Sequence, residues 1–179
     1  MTAEITFRTA EPADALCLGV LSTQVFLDTY ATQGIRPGLA NEALSQHSVA
    51  VYAALLADPA VAILVAECAG HLVGFAQVRN GVGHALVPEP AASGLDRLYV
   101  QERFTGRGVG RDLLRHAEKA AAAQGADTLW LTAWEGNARA LQFYPRRGYS
   151  NLGMTIYSFE GEDFPNHVFG KRVRHVVPA

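Results

Sequence analysis

The sequence predicts an α/β fold in which a mixed, mostly antiparallel sheet of about seven strands is flanked by helices. Short apolar segments of strand length recur along the chain, and segments with helical periodicity stand between some of them. Glycine or proline separates most of these segments. The resulting order is β-α-α-β-β-β-α-β-α-β-β, which combines hairpins with helical crossovers and therefore predicts both antiparallel and parallel neighbours.

The N-terminal third predicts one strand and two helices. Residues 4–9 alternate polar and apolar side chains, which is typical of a strand. Pro12 stands at the start of a helix, where its missing N–H is tolerated, and an apolar stripe continues to about Tyr30. A second helix is expected over about residues 39–56 and ends before Pro59.

The middle of the chain predicts a hairpin followed by a long loop. Residues 61–67 and 72–78 are strongly apolar, and the short turn around Gly70 makes them antiparallel neighbours. Residues 80–94 are rich in Gly, Pro and Ala, and we expect a loop there. Residues 95–100 then form a strand.

The remaining elements alternate helices and strands. A helix is expected over about residues 109–124, and Gly125 is its C-terminal cap. The further predicted elements are a strand over 128–132, a helix over about 137–146, and closing strands over 149–159 and 167–173.

Composition and charge restrict the class of partner. The chain has 179 residues, of which 49% are hydrophobic and 18% are charged, and its formal net charge is -2. These values are typical of a globular protein, and no basic stripe favours nucleic acid or a membrane surface. No signal peptide or membrane-spanning run is apparent, so we expect a cytoplasmic protein. Cys17 and Cys68 stand among apolar residues and are expected to be buried thiols.

The sharpest motif precedes the helix over residues 109–124. Alternating glycines permit a tight turn, and their N–H groups together with the helix N-terminus favour a pyrophosphate. Arginines in the same stretch would add charge-assisted hydrogen bonds. The alternative is a glycine-rich loop without a ligand; P-loop and dinucleotide-binding spacings do not fit. The residues concerned are Gly106, Arg107, Gly108, Gly110 and Arg111.

This motif resembles the signature of the GCN5-related N-acetyltransferase (GNAT) family, Gln/Arg-x-x-Gly-x-Gly/Ala, at the start of the coenzyme A helix. The matching residues are Thr105–Gly110, and they follow the strand segment Leu98-Tyr99-Val100. Thr105 stands where the family favours Gln or Arg, which weakens one side-chain contact. The resemblance implies a GNAT-like three-layer fold, the activity of an N-acetyltransferase enzyme, and acetyl-CoA (coenzyme A) as cofactor.

A second match lies in residues 137–149, with an Asn, an Ala three residues on, a Phe-Tyr pair and a Gly-aromatic pair. Asn137 and Tyr144 are seven residues apart, so they share one helical face and both can contact an extended cofactor arm. Pro145 is expected to kink or end the helix. The alternative for Tyr144 is a tyrosine of the hydrophobic core.

The resemblance implies direct transfer in a ternary complex to the primary amine of a small molecule. The phenol of Tyr144 would protonate the leaving thiolate, and a backbone N–H near Val100 would stabilise the oxyanion. Backbone amides of Leu98 and Val100 would pair with pantetheine. The implied cofactor-binding residues are Leu98, Tyr99, Val100, Thr105, Gly106, Arg107, Gly108, Val109, Gly110, Arg111, Asn137, Tyr144 and Arg146.

The general base is assigned to Asp96, acting through water, with Glu67 as second choice. A solvated surface carboxylate is the alternative for each. Phe26, Asp28, Tyr30 and His84 are candidate substrate-binding residues, because a carboxylate and aromatic rings hold a cationic amine. The alternatives are core packing for Phe26 and Tyr30, and solvent exposure for Asp28 and His84. Six histidines show no metal-ligand spacing, so no metal is expected.

The resemblance also predicts the domain organisation. Residues 1–179 form one acetyltransferase domain, with acceptor-side elements over 5–60, an acetyl-CoA-binding core over 61–159 and a closing strand within 160–179. A homodimer in which residues 167–173 pair at an edge or swap between chains is a further hypothesis. A protein or peptide N-acetyltransferase and a non-catalytic acyl-CoA sensor are the alternative functions.

Overall fold

The computed structural model describes residues 4–159 and 162–173; residues 160–161 and 174–179 of the predicted closing segment lie outside this range. The strands are β1 (Ile5–Thr9), β2 (Val61–Cys68), β3 (His71–Arg79), β4 (Ala92–Val100), β5 (Thr128–Trp134), β6 (Ser150–Phe159) and β7 (Glu162–Arg172). The helices are α1 (Ala15–Tyr30), α2 (Pro37–Gln46), α3 (Val49–Ala57), α4 (Val109–Ala123) and α5 (Ala138–Phe143). Short 3-10 turns cover Pro12–Asp14, Glu102–Phe104 and Pro145–Arg147.

The sheet confirms the predicted fold class. Its hydrogen-bonded order is β1-β2-β3-β4-β5-β7-β6. The β4–β5 pair is parallel, whereas β1–β2, β5–β7 and β6–β7 are antiparallel. The last strand, β7, has neighbours on both sides, so the hypothesis that it pairs at a sheet edge with a second chain is wrong. The strand at that edge is β6.

The predicted helix over residues 39–56 is two helices. His47 and Ser48 separate α2 from α3, and the Ser48 hydroxyl accepts a hydrogen bond from Val51 N–H at 3.3 Å. A serine at this position supplies an acceptor for a helix N-terminus, so it starts a new helix even though the apolar periodicity continues through it. A Cβ built at Gly19 would lie 3.0 Å from the His47 carbonyl oxygen, so α1 approaches this break closely.

The strand predicted over residues 95–100 begins earlier, at Ala92. Ala92, Ser93 and Gly94 pair in parallel with the first three residues of β5, which brings the end of the glycine-rich segment into the sheet. Ala92 and Ser93 are buried, although small residues give little apolar signal in the sequence. The intervening loop is therefore shorter than the predicted 80–94.

The chain forms two compact units. The first comprises the residues up to Gln77 together with Arg97–Ala117. Its main hydrophobic cluster joins α1, α3, β2 and β3 through the buried residues Ala15, Leu18, Leu21, Tyr52, Ile63, Val65 and Phe75. A smaller cluster consists of Phe26 with Leu39 and Ala43. The three N-terminal helices are thus packed on the sheet by apolar burial.

The second unit comprises Val78–Asp96 and the chain from Glu118 onward. Its buried residues include Leu129 and Leu131 of β5 and Val168 and Phe169 of β7. The Glu118 carboxylate accepts hydrogen bonds from the Tyr149 hydroxyl at 3.1 Å and from Lys171 Nζ at 2.8 Å. Burial raises the pKa of the Tyr149 phenol, and the neighbouring Glu118 charge acts in the same direction.

Two expectations from composition have different outcomes. Cys17 is exposed and Cys68 is partly exposed, so the prediction of two buried thiols is wrong. Cys17 follows the exposed residue Leu16 on the outer face of α1, which shows that its apolar neighbours in sequence do not bury it. No helix within residues 4–159 and 162–173 is long and apolar enough to cross a membrane.

Candidate active site

The glycine motif forms a left-handed turn that leads into α4, in the first unit. Gly106 and Gly108 have φ angles of 73° and 85°, which favour glycine. The Asp112 N–H donates to the Gly108 carbonyl at 3.0 Å, which closes the first turn of the helix. The preceding amides of α4 have no acceptor within the helix, because an N–H bonds the carbonyl four residues earlier. These amides and the helix dipole make the start of α4 suited to an anion.

The side chains around this turn already have partners. Arg111 donates from Nε and Nη2 to the Asp112 carboxylate at 3.1 and 3.0 Å, and these hydrogen bonds are the main cause of the lowered Asp112 pKa. The Arg107 guanidinium lies 5.3 Å from the Phe104 ring centroid. The Thr105 hydroxyl and N–H both donate to the Glu102 carbonyl, at 2.8 and 3.0 Å. Thr105 therefore closes the 3-10 turn, and its direct contact with a cofactor stays a prediction.

The end of β4 turns its side chains alternately to opposite faces. A Cβ built at Gly74 would lie 2.8 Å from the Tyr99 carbonyl oxygen and 3.2 Å from both Val100 Cγ2 and Leu113 Cδ1. Val100 is therefore on the α4 face, where β3 and β4 approach closely because Gly74 has no side chain. Tyr99 is on the other face, with its ring 5.5 Å from the ring of Phe75.

An aromatic cluster lies on that second face. The ring of His47 is 4.7 Å from Phe26 and 6.4 Å from Tyr99, and Phe26 is 5.1 Å from Tyr30. Phe26 belongs to the hydrophobic core, whereas Tyr30 lies at the surface. Burial raises the pKa of the Tyr99 phenol. Asp28 is exposed on the same helix as the two predicted aromatic residues.

A buried hydrogen-bond relay adjoins this cluster, and it was not predicted from the sequence. The Tyr52 hydroxyl donates to Ser22 Oγ at 2.7 Å, and Ser22 Oγ lies 2.5 Å from His47 Nδ1. Because the Ser22 oxygen accepts from Tyr52, its own proton is available to His47. Burial lowers the pKa of His47 to about 4, and the nearby Arg97 charge contributes. The imidazole is therefore neutral at pH 7.

The two carboxylates proposed as general base lie in ion pairs. In the second unit, Asp96 is exposed, and its Oδ2 accepts a hydrogen bond from Arg79 Nε at 3.2 Å. In the first unit, Arg8 bridges the carboxylates of Asp14 and Glu67, at 2.7 Å to each. Glu67 of β2 is thereby tied to Arg8 of β1, whereas the ion pair between Asp96 and Arg79 is open to solvent. The geometry favours Asp96 over Glu67 as the carboxylate accessible to water.

The parallel β4–β5 ladder of the second unit is short. It covers the pairs from Ala92–Thr128 to Gly94–Trp130, although both strands continue within the described residues. The loop after β3 is fastened here, because Trp130 Nε1 donates to the Val82 carbonyl at 2.7 Å. His84 lies in this loop, with its ring 5.0 Å from Trp130 and its Nδ1 accepting from Leu86 N–H at 3.1 Å.

Asn137 and Tyr144 stand at the two ends of the short helix α5. The Asn137 side-chain oxygen accepts from Ala140 N–H at 3.1 Å, so this amide caps the helix. Tyr144 is 8% exposed, and its ring lies 5.6 Å from Tyr149 and 6.0 Å from Phe169. The helix ends before Pro145, as predicted, and Pro145 begins a 3-10 turn.

The sequence profile described as the acetyltransferase (GNAT) family matches residues 29–149. This protein belongs to the GNAT acetyltransferase family. The matched range includes β4, the glycine turn, α4 and α5, which are the elements on which the sequence-based resemblance depended. The recognition of the family is thereby confirmed.

Curated relatives and solved structures agree with this membership. The chain is 32% identical over 92 residues to a streptothricin acetyltransferase of Streptomyces lavendulae, covering 51% of this chain and 46% of that protein. It is 32% identical over 110 residues to an uncharacterised N-acetyltransferase of Mycobacterium bovis, covering 62% of this chain and 66% of that protein. The chain thus spans less than two thirds of the length of these relatives.

The fold is similar to that of the PaiA N-acetyltransferase of Thermoplasma acidophilum, whose structure contains coenzyme A. The TM-score is 0.72 at 20% sequence identity, and the match covers 94% of this chain and 99% of the other. At this identity the likeness concerns the fold, and it agrees with the observed mixed sheet of seven strands with flanking helices.

The comparisons concern the family and the fold, so the roles of individual residues stay predictions that depend on their positions in this structure. The glycine turn of the first unit places Gly106 and Gly108 directly before α4, where their left-handed backbone angles suit the predicted pyrophosphate. Leu98 and Val100 are on the strand before it. Arg146 is exposed beside α5. No group of three His, Cys, Asp or Glu side chains in the described part of the chain is arranged to hold a metal ion.

Two groups near the aromatic cluster were missed in the sequence. The first is the Ser22–His47–Tyr52 relay, whose members are 25 and 30 residues apart. The second is Arg97, whose Nη1 donates to Gln77 Oε1 at 2.8 Å. The one available signal is that Arg97 is the one cation of the strand segment Leu95 to Val100, at a position that alternation assigns to the same face as Tyr99.

Proposed function

We propose that this protein is an N-acetyltransferase that moves an acetyl group from acetyl-CoA to the primary amine of a small molecule. The observation that carries the proposal is the left-handed turn at Gly106 and Gly108 directly before α4. It leaves helix N-terminal amides available to a pyrophosphate, which is the group that links the two halves of coenzyme A. The relative named streptothricin acetyltransferase supports an acceptor that is not a protein.

The residues of the turn fit the cofactor. A Cβ at Gly106 would meet no heavy atom within 4 Å, so this glycine is required by its backbone angle and the space around it is open. We assign the pyrophosphate to the backbone of Gly106–Gly110, with Arg107 and Arg111 as cationic partners. Arg111 then exchanges the Asp112 carboxylate for a phosphate. Leu98 and Val100 offer backbone groups to the pantetheine arm, as an added strand would.

The cofactor supplies an activated thioester, and the side chains handle the protons. The acceptor arrives as an ammonium ion, whose proton leaves through water toward the Asp96 carboxylate. The Val100 N–H would stabilise the negative charge that develops on the carbonyl oxygen when the nitrogen lone pair adds to the acetyl carbon. Breaking the carbon–sulfur bond would leave a thiolate, to which the Tyr144 phenol would give its proton, while the nitrogen would give up its second proton to water. Tyr144 recovers a proton from solvent.

Thiol release from acetyl-CoA tests this proposal. The purified protein is incubated with polyamines, amino acids, amino sugars and short peptides, and free thiol is measured together with the mass of the acetylated product. We expect release with at least one small amine and none without an acceptor. Release with peptides alone would replace the small-molecule acceptor by a protein. Binding of acetyl-CoA without release from any acceptor would indicate a sensor and overturn the proposal.

A homodimer and a cytoplasmic location remain parts of the proposal. The edge strand β6 exposes Met154, Ile156 and Tyr157, and exposed apolar side chains on an edge strand favour association. Light scattering that gives the mass of one chain would contradict the dimer.

A further inference from the structure

Arg97 is a partly buried cation whose contacts are all neutral. Its Nη1 donates to the Gln77 side-chain oxygen at 2.8 Å, and its Cζ lies 5.9 Å from the centroid of the Tyr52 ring. It also hydrogen-bonds the phenol of Tyr99. No carboxylate among residues 4–159 and 162–173 pairs with it. By contrast, Arg8 and Arg111 of the same unit each have a carboxylate partner, Asp14 and Asp112 respectively.

Such a cation is costly unless an anion accompanies it. Removing a charge from water is unfavourable, and a carboxylate partner normally compensates for the lost hydration. A guanidinium presents five N–H donors in a plane, and one amide oxygen and one phenol leave part of this fork unused. The positive charge of Arg97 also affects a neighbouring group, because it contributes to the lowered pKa of His47.

The position of Arg97 identifies which ligand would supply that anion. Arg97 shares its face of β4 with Tyr99, and this face carries the aromatic cluster of Phe26, Tyr30 and His47. The glycine turn that suits the cofactor pyrophosphate begins α4, which packs on the opposite face beside Val100. The fork of Arg97 is therefore separate from the phosphate-binding backbone and lies among the acceptor-side helices.

We propose that Arg97 binds a carboxylate of the acceptor, so that the substrates are amino carboxylates such as α-amino acids. This inference rests on the proposed acetyltransferase function. A guanidinium fork matches the two oxygens of a carboxylate, whereas it repels an additional ammonium group. Polyamines are accordingly poor substrates. Gln77 and Tyr99 hold the fork in place, and Arg97 thereby determines which amines are accepted.

The test compares α-amino acids with their α-carboxamides, which keep the amine and the shape but lack the charge. Wild-type protein is expected to give a kcat/KM at least about 10-fold higher with an acid than with its amide. Arg97→Gln is expected to lower the value for the acid about 10- to 100-fold and leave the value for the amide within about 3-fold. Arg97→Lys restores part of the loss. Arg115→Gln, on the exposed side of α4, is the matched control and changes neither substrate.

Two results would overturn this assignment. One is equal use of acid and amide by the wild type; the other is an equal loss of both in Arg97→Gln. Thermal melting and acetyl-CoA affinity of each variant establish that it is folded. If Arg97→Gln does not fold, Arg97→Lys is used in its place. If no amine releases thiol, the acetyltransferase proposal has failed. Calorimetric binding of the amino acids in the presence of coenzyme A then decides, because only Arg97-dependent binding supports the carboxylate site.

Discussion

Trp130 lies over Gly94, its partner at the last pair of the β4–β5 ladder. A Cβ built at Gly94 would be 3.3 Å from Cζ2 of the indole, closer than ordinary van der Waals contact. The same indole donates its N–H to the Val82 carbonyl. One side chain therefore fastens the loop after β3 at the place where the parallel pairing ends, and the absence of a side chain at Gly94 permits it.

We expect Gly94→Ala to destabilise the protein by about 1–2 kcal/mol, because the added methyl group must displace the indole or the strand. The free energy of unfolding is measured by urea denaturation followed by circular dichroism. Gly83→Ala is the matched control, since a Cβ at Gly83 meets no heavy atom within 4 Å. Equal stability of the two variants would show that the indole moves away without cost.

Replacing Gly108 with alanine is expected to weaken acetyl-CoA binding. Gly108 has a φ angle of 85°, and a left-handed alanine costs about 1–2 kcal/mol, so the turn shifts and the dissociation constant rises about 10-fold. Isothermal titration calorimetry measures this constant. Gly70→Ala introduces the same strain at a φ of 77° in the β2–β3 turn, with no effect on binding expected. An unchanged constant for Gly108→Ala would separate the turn from the cofactor.

The variant Tyr144→Phe removes only the phenol oxygen. If this phenol protonates the leaving sulfur, kcat falls about 100-fold while KM changes little, because general acid catalysis contributes factors of this size. Steady-state thiol release gives both constants. Tyr149→Phe removes a phenol that donates to Glu118 and whose ring lies beside Tyr144, so it is the matched control and is expected to lower stability rather than kcat. Equal kcat values for wild type and Tyr144→Phe would assign the proton to another group.

The stability of the protein should fall in mildly acidic solution because of His47. Its pKa is lowered to about 4 in the folded protein and is about 6.5 in the unfolded chain, so only the unfolded chain gains the proton between these values. The free energy of unfolding therefore decreases as the pH falls from about 6.5 to about 4, by up to about 3 kcal/mol.

Urea midpoints across that range for the wild type and for His47→Gln isolate the histidine, because other groups titrate equally in both. Above about pH 7 the difference in unfolding free energy between the two proteins should no longer change with pH. His71→Gln, at an exposed position, is the control and should follow the wild type. Parallel curves for His47→Gln and wild type would show that His47 keeps an ordinary pKa.

The sequence predicted those parts of the fold and site that depend on local chemistry. Alternating glycines before an apolar-striped helix require a particular backbone, and the structure has left-handed angles at Gly106 and Gly108. Pro145 ends α5 for an equally local reason, since its ring cannot continue the helix. The single capping serine at position 48 was missed because the apolar pattern continues on both sides of it.

Features that join distant parts of the chain could not be predicted in this way. The contact between Ser22 and His47 depends on how α1 packs against the break between α2 and α3, and no periodicity records it. The neutral surroundings of Arg97 come from Tyr52 and Gln77, on two other elements. The neighbours of β7 likewise depend on the order of the whole sheet, which the hydrophobic pattern of one strand does not contain.

The place of β7 in the sheet has a consequence for folding during synthesis. Residues 150–159 leave the ribosome before residues 162–172, yet β6 has no bond to β5 except through β7. The backbone N–H and C=O groups of β5 and β6 that face β7 therefore stay unpaired until β7 inserts between the two strands. The half of the sheet formed by β5, β6 and β7 becomes complete only when the ribosome has released β7, and Phe169 of that strand then takes its place beside the ring of Tyr144.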